Sequence, residues 1–132
     1  MFLKIHDAMS IGEVEERFND CFPLLKLELY SLSHKQNQGS GRRYQYDKDT
    51  LIAAARDKHY NGNYEIKSSY TTARVERELK ELFDLDVQIF RKDVDGKWVQ
   101  TTHSDGLTLQ EESELALGIE SSINSTVQII TP

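Results

Sequence analysis

The sequence predicts an α+β fold in a single domain over residues 1–132, and three observations carry that expectation. Helix-period apolar segments alternate with short period-two segments. The same order of elements returns about sixty residues later. A chain of 132 residues is also long enough to bury one core without disulfide or metal staples.

Phe2 to Ile5 reads as a short first strand. Ser10 opens a helix, because Ser10-Ile11-Gly12-Glu13 fits a capping box, in which serine oxygen and glutamate carboxylate satisfy free backbone amides reciprocally. Ile11, Val14, Phe18, Cys21 and Phe22 recur at helical spacing and are expected inward, with Glu15, Glu16, Arg17 and Asp20 mostly outward. Pro23 ends this helix. From Leu25 the period becomes two, with Leu25, Leu27 and Leu29 on one face and Lys26, Glu28 and Tyr30 on the other.

Ser33 to Lys48 has no apolar rhythm and reads as a mobile loop. Thr50 to His59 is expected to form a short helix with Leu51, Ile52, Ala54 and Ala55 inward, stopped at Asn61-Gly62. Tyr64 to Ser68 is the next strand, and Thr71 or Thr72 caps a second helix. In it Val75, Leu79, Leu82 and Phe83 repeat the spacing of Val14, Phe18, Cys21 and Phe22. Leu85 to Phe90 then matches Leu25 to Tyr30 in polarity at every position. An internal repeat of strand–helix–strand units is the economical reading. With a right-handed crossover in each, the units predict a split βαβ, ferredoxin-like sheet, a mixed sheet covered on both faces being the competing fold. Arg91 to Lys97 reads as a hairpin turn centred on Asp95-Gly96, with a returning strand from Trp98 to Thr102. Thr108-Leu109-Gln110-Glu111 is a second capping box, starting a last helix that runs to about Leu117. The tail from Ile119 reads as disordered, or as an edge strand over Val127 to Ile130.

The stretch Leu85 to Gln110, about a fifth of the chain, resembles a recurrent segment in a group of small uncharacterised bacterial proteins. Phe90-Arg91-Lys92, Trp98, Thr101-Thr102, Asp105 and Thr108-Leu109 carry the resemblance; where that pattern has a second tryptophan, this chain has Leu107. The resemblance implies a strand, a turn, a tryptophan strand and a helix start, and no reaction.

The net charge of −6 argues against general polyanion binding, which needs clustered Lys and Arg. Only residues 33–67, with seven basic against four acidic side chains, can hold a basic patch. The single cysteine, Cys21, excludes an internal disulfide and is expected in the core, in a reducing, cytoplasmic setting. No run approaches the ~20 apolar residues that span a bilayer, so no membrane partner is expected.

No cofactor, metal site or catalytic residue is assigned. The histidines His6, His34, His59 and His103 lack metal-ligand spacing, and His103-Ser104-Asp105 reads as a polar turn with Asp105 anchoring the last helix. The charges of the second helix, notably Glu76 with Lys80 and Arg77 with Glu81, describe a solvated face worth about 0.2–0.5 kcal/mol per pair. In the Gly39–Arg43 loop, Ser40, Arg42 and Arg43 form a candidate anion site, either for a small enzyme or an anion or nucleotide binder or, with Tyr44 and Tyr46 in the basic middle segment, for a weak nucleic-acid contact.

The leading expectation concerns Tyr30, Phe90 and Trp98, which alternation places on the sheet face opposite the helices. Either the last helix covers them through Leu109, Leu115 and Leu117, or they contact another protein, a second copy of the chain or a ligand. The function expected is a non-enzymatic homo-oligomer or protein-interaction module.

Overall fold

The computed structural model describes residues 1–31 and 44–118. The loop expectations on residues 32–43 and those on the tail from Ile119 lie outside them. The elements are β1 (Phe2–Ile5), α1 (Ile11–Cys21), β2 (Leu25–Ser31), β3 (Tyr44–Gln45), a 3-10 turn (Ile52–Ala55), β4 (Gly62–Glu65), α2 (Thr72–Phe83), β5 (Val87–Lys92), β6 (Trp98–Gln100), a second 3-10 turn (Thr102–Ser104) and α3 (Leu109–Ala116). The fold is α+β.

The sheet order differs from a ferredoxin-like arrangement. β1 pairs with β4 in a two-stranded sheet, and β3-β2-β5-β6 form a second sheet, all pairs antiparallel. Within each strand–helix–strand unit the helix therefore carries the chain from one sheet to the other, and each strand pairs with its counterpart in the other unit. Alternation and helical spacing fix which face of a segment is apolar; they do not state which strands become neighbours.

Both capping boxes form. Ser10 Oγ accepts from Glu13 N while Ser10 N donates to Glu13 Oε1, and Thr108 with Glu111 does the same at α3. Thr71 caps α2 through its hydroxyl. The caps are also stitched to the chain that follows each unit. Ile11 N donates to Thr50 O and Ile52 N to Met9 O; equivalently, Thr72 N donates to Leu107 O and Leu109 N to Tyr70 O. The segment after Thr50 forms one 3-10 turn only: Arg56 already has extended backbone, its guanidinium held by Asp7, Asn61 and the carbonyls of Tyr60 and Phe83. The expected helix over Thr50 to His59 is thus not formed, Ile52 alone is buried in that turn, and Leu51 and Ala54 are exposed.

One core lies between the helices and both sheets. Leu3, Ile5, Phe18, Leu25, Leu27, Leu29, Ile66, Leu79 and Ile89 are fully buried, each contributing about 1.5–3 kcal/mol of apolar burial. Cys21 and Leu82, expected inward, are exposed. They hold the same position in the two helices, where the apolar stripe reaches its edge as the helix ends. The loop reading of Ser33 to Lys48 is corrected at its end: Tyr44 and Gln45 pair with β2, Tyr46 packs on the core, and Lys48 O accepts from Gly12 N. A Cβ on Gly12 would lie 3.1 Å from that oxygen, tighter than an ordinary contact, so a larger residue fits only if the Lys48 backbone gives by a few tenths of an ångström. The hairpin turn sits at Asp95-Gly96, with Gly96 at φ +87°.

Polar clamps join the units. Arg56, its side chain fully buried, donates to Asp7, Asn61 and the carbonyls of Tyr60 and Phe83. Asp84, at φ +56°, accepts from the amides of Asp57 and Lys58, which with Lys80 hold its carboxyl below the usual range. Buried Tyr64 donates to Glu78 at 2.6 Å; burial first, and the Glu78 carboxylate second, push its phenol well above the tyrosine range. The raised value stabilises the fold fully below a pH of about 10, with the contribution lost as pH climbs through the folded value. Ultraviolet titration of the native protein should show one tyrosine ionising late. Tyr64→Phe should abolish that phase, and its persistence in the variant would assign it elsewhere.

Among the described residues, no helix is long and apolar enough to cross a membrane, and no group of three His, Cys, Asp or Glu side chains is placed to hold a metal ion.

Candidate functional site: two grooves and an aromatic patch

β2 and β5 form the centre of the larger sheet, with Lys26 opposite Phe90, Glu28 opposite Gln88 and Leu27 opposite Ile89. Alternation turns Leu25, Leu27, Leu29, Val87 and Ile89 into the core and puts Lys26, Glu28, Tyr30, Gln88 and Phe90 on the other side. β6 adds Trp98 opposite Lys92, whose parity is that of Phe90.

The three expected aromatics separate into two places. Phe90 and Trp98 meet around one cation: Lys26 Nζ lies 5.2 Å from the Phe90 ring centroid and 4.9 Å from that of Trp98, within cation–π range. Lys26 is held from the other side by Glu28 at 2.8 Å. Both rings are half-buried. Tyr30 lies four residues along β2 from Lys26, roughly 13 Å away at strand rise, beside α2.

The last helix does not cover the aromatic patch. Glu112 of α3, fully buried, accepts from Arg91 Nη1 at 2.8 Å and from Ser104 Oγ at 2.7 Å, and Arg91 has the opposite parity to Phe90. α3 therefore sits at the core side of the sheet, with Leu109 buried in the core and Leu117 60% exposed. Asp105 does not anchor α3, whose cap is Thr108; its carbonyl accepts from Ala73 N of α2.

Two grooves flank this sheet. The first, about 480 Å³, runs between α1 and β2 and has Trp98 at its rim. Glu13, Glu16, Glu28 and Asp49 face it together with Lys26 and Lys48. The second, about 330 Å³, runs between α2 and the start of β5, with Tyr30 at its rim and Glu76, Arg77, Lys80, Asp86 and Asp105 around it. Each groove has a glutamate at its base. Glu15 Oε2 accepts from Leu29 N, and Glu76 Oε2 from Ile89 N, both at 2.9 Å.

These two glutamates are what sequence reasoning missed. Both were expected on solvated helix faces, and each instead satisfies a strand amide that no neighbouring strand reaches. Glu15 is only 8% exposed and also pairs with Lys48. Glu76 does not pair with Lys80 as expected: its carboxylate accepts from Gln88 and Ile89, and Lys80 turns to Asp84 and Asp86. The one signal was their shared position, one residue after Val14 and Val75 in matching units.

The cluster of Asp7, Arg56 and His59 unites residue types common in catalytic sites. The His59 imidazole, and then the Arg56 guanidinium, hold the Asp7 carboxyl below the usual range. Two of the Arg56 acceptors are backbone carbonyls of separate segments, so the cluster ties the turn after β1 to the end of α2. Ser40, Arg42 and Arg43, the candidate anion site, lie outside the described residues.

In comparison with known proteins, no family model, no curated protein and no solved structure matches the chain.

Proposed function

We propose that the protein is a non-enzymatic interaction module, acting by homo-oligomerisation or by contact with a partner protein through the Phe90–Trp98 patch and the groove it borders. The observation that carries this reading is that both aromatics stay half-buried on the face away from the core, while α3 is bound to Arg91 on the other side. Grouped aromatics are what interface centres favour, Trp and Phe among them, although the lysine between the rings is of a type depleted there. The matching of cap bonds, grooves and basal glutamates further supports a duplicated unit, in which two related clefts have acquired different charges.

Trp98→Glu tests the proposal, since Trp98 is the only tryptophan and reports on its own environment. The core on the other face is untouched, so secondary structure should persist. Size exclusion with light scattering should show an assembly of the parent protein, or a complex with its partner, that the variant fails to form. A parent protein that is monomeric and partnerless, with red-shifted, fully quenchable Trp98 emission, would sink the proposal.

A further inference from the structure

Among the described residues, the ladder of β2 leaves one edge position open. Tyr30 N donates to Asp86 O and Lys92 N to Leu24 O, so the even-numbered residues of β2 direct their backbone groups at β5. Those of Leu25, Leu27 and Leu29 point the other way, into the first groove. There, Asn19 Nδ2 donates to Leu25 O and Glu15 accepts from Leu29 N. β3 pairs with β2, among the described residues, at Tyr30 and Ser31. Among the described residues, nothing takes the N–H and C=O of Leu27. An unpaired donor and acceptor on one residue form the site at which an added strand makes a pair of hydrogen bonds.

Charge selects what can be added. Glu13, Glu16, Glu28 and Asp49 outnumber Lys26 and Lys48 around the groove, and Lys26 is already shared between Glu28 and the two rings. The acidic surface continues along α1 to Asp20, interrupted by Arg17. The second groove, by contrast, sets Arg77 and Lys80 against its carboxylates.

We propose that the open edge of β2 at Leu27 binds an extended segment of a partner protein that carries lysine or arginine on alternate positions. The segment adds one strand residue to Leu27, directs its cations at Glu16 and Asp49, and passes the rim at Trp98. This rests on the interaction reading above and names its partner class.

The probe is a short synthetic peptide alternating lysine and valine, titrated into the whole protein and followed by amide chemical shifts and hydrogen exchange. Binding should shift and protect the Leu27 amide and weaken as salt is added. Glu16 and Asp49 are both exposed, so reversing them in E16K/D49K should leave the fold intact. That variant should bind about tenfold more weakly, as should a peptide N-methylated at the pairing residue, a loss on the scale of one hydrogen bond or ion pair. A glutamate–valine peptide should not bind. Equal binding of the glutamate peptide, or an unprotected Leu27 amide at saturation, overturns strand addition. If the lysine peptide fails while Trp98→Glu still dissolves an assembly, this proposal alone falls. If there is neither binding nor assembly, both fall.

Discussion

Replacing Arg56 by alanine is expected to lower the unfolding free energy by about 3–5 kcal/mol, from the lost packing of a buried side chain together with the acceptors, the Phe83 carbonyl among them, left without a donor. The guanidinium is fully buried and bonded to Asp7, Asn61, Tyr60 O and Phe83 O at 2.6–3.1 Å. Alanine leaves two carbonyls and a carboxylate facing a cavity. Arg56→Lys keeps the charge but replaces a planar fork by one ammonium group, which cannot reach acceptors on opposite sides, so most of the loss should remain. Urea denaturation measures both variants. A midpoint for Arg56→Ala within error of the parent would show that the cluster contributes nothing net.

Glu112→Ala should be nearly as costly, at about 3 kcal/mol, with a different pattern of damage. Glu112 is fully buried and holds α3 to the sheet through Arg91 and to the preceding turn through Ser104. Without it, the Arg91 guanidinium, only 19% exposed at its side chain, is left unpaired on the core side. α3 should then open before the rest of the fold, seen as early exchange of the amides of Leu109–Ala116 while β2 and β5 stay protected. Glu112→Gln keeps the shape without the charge and should fall between the two. Uniform loss of protection across the chain would instead mean that α3 unfolds only with the whole domain.

Much of the local structure was legible in the chain because it is decided locally. The Ser10 and Thr108 capping boxes, the alternation of Leu25, Leu27 and Leu29, the Asp95-Gly96 turn and the cap at Thr71 or Thr72 each depend on residues within one or two turns. Placing Phe90 and Trp98 on the face opposite the core likewise needed only the two-residue period of a strand.

What the tertiary structure decided was which segments become neighbours. That β1 pairs with β4 and β2 with β5 depends on how both units bury their apolar faces together, and no periodicity within either unit encodes it. The same holds for the charges that bond across elements. Glu15, Glu76, Arg56 and Glu112 look like solvated side chains in sequence, since burying an ion is unfavourable until a partner is in place. Their partners stand 14, 13, 49 and 21 positions away and come within reach only when the sheets assemble. Tyr30 parts from Phe90 and Trp98 for a related reason: parity assigns a side chain to a face, and only strand pairing and twist set its place along that face.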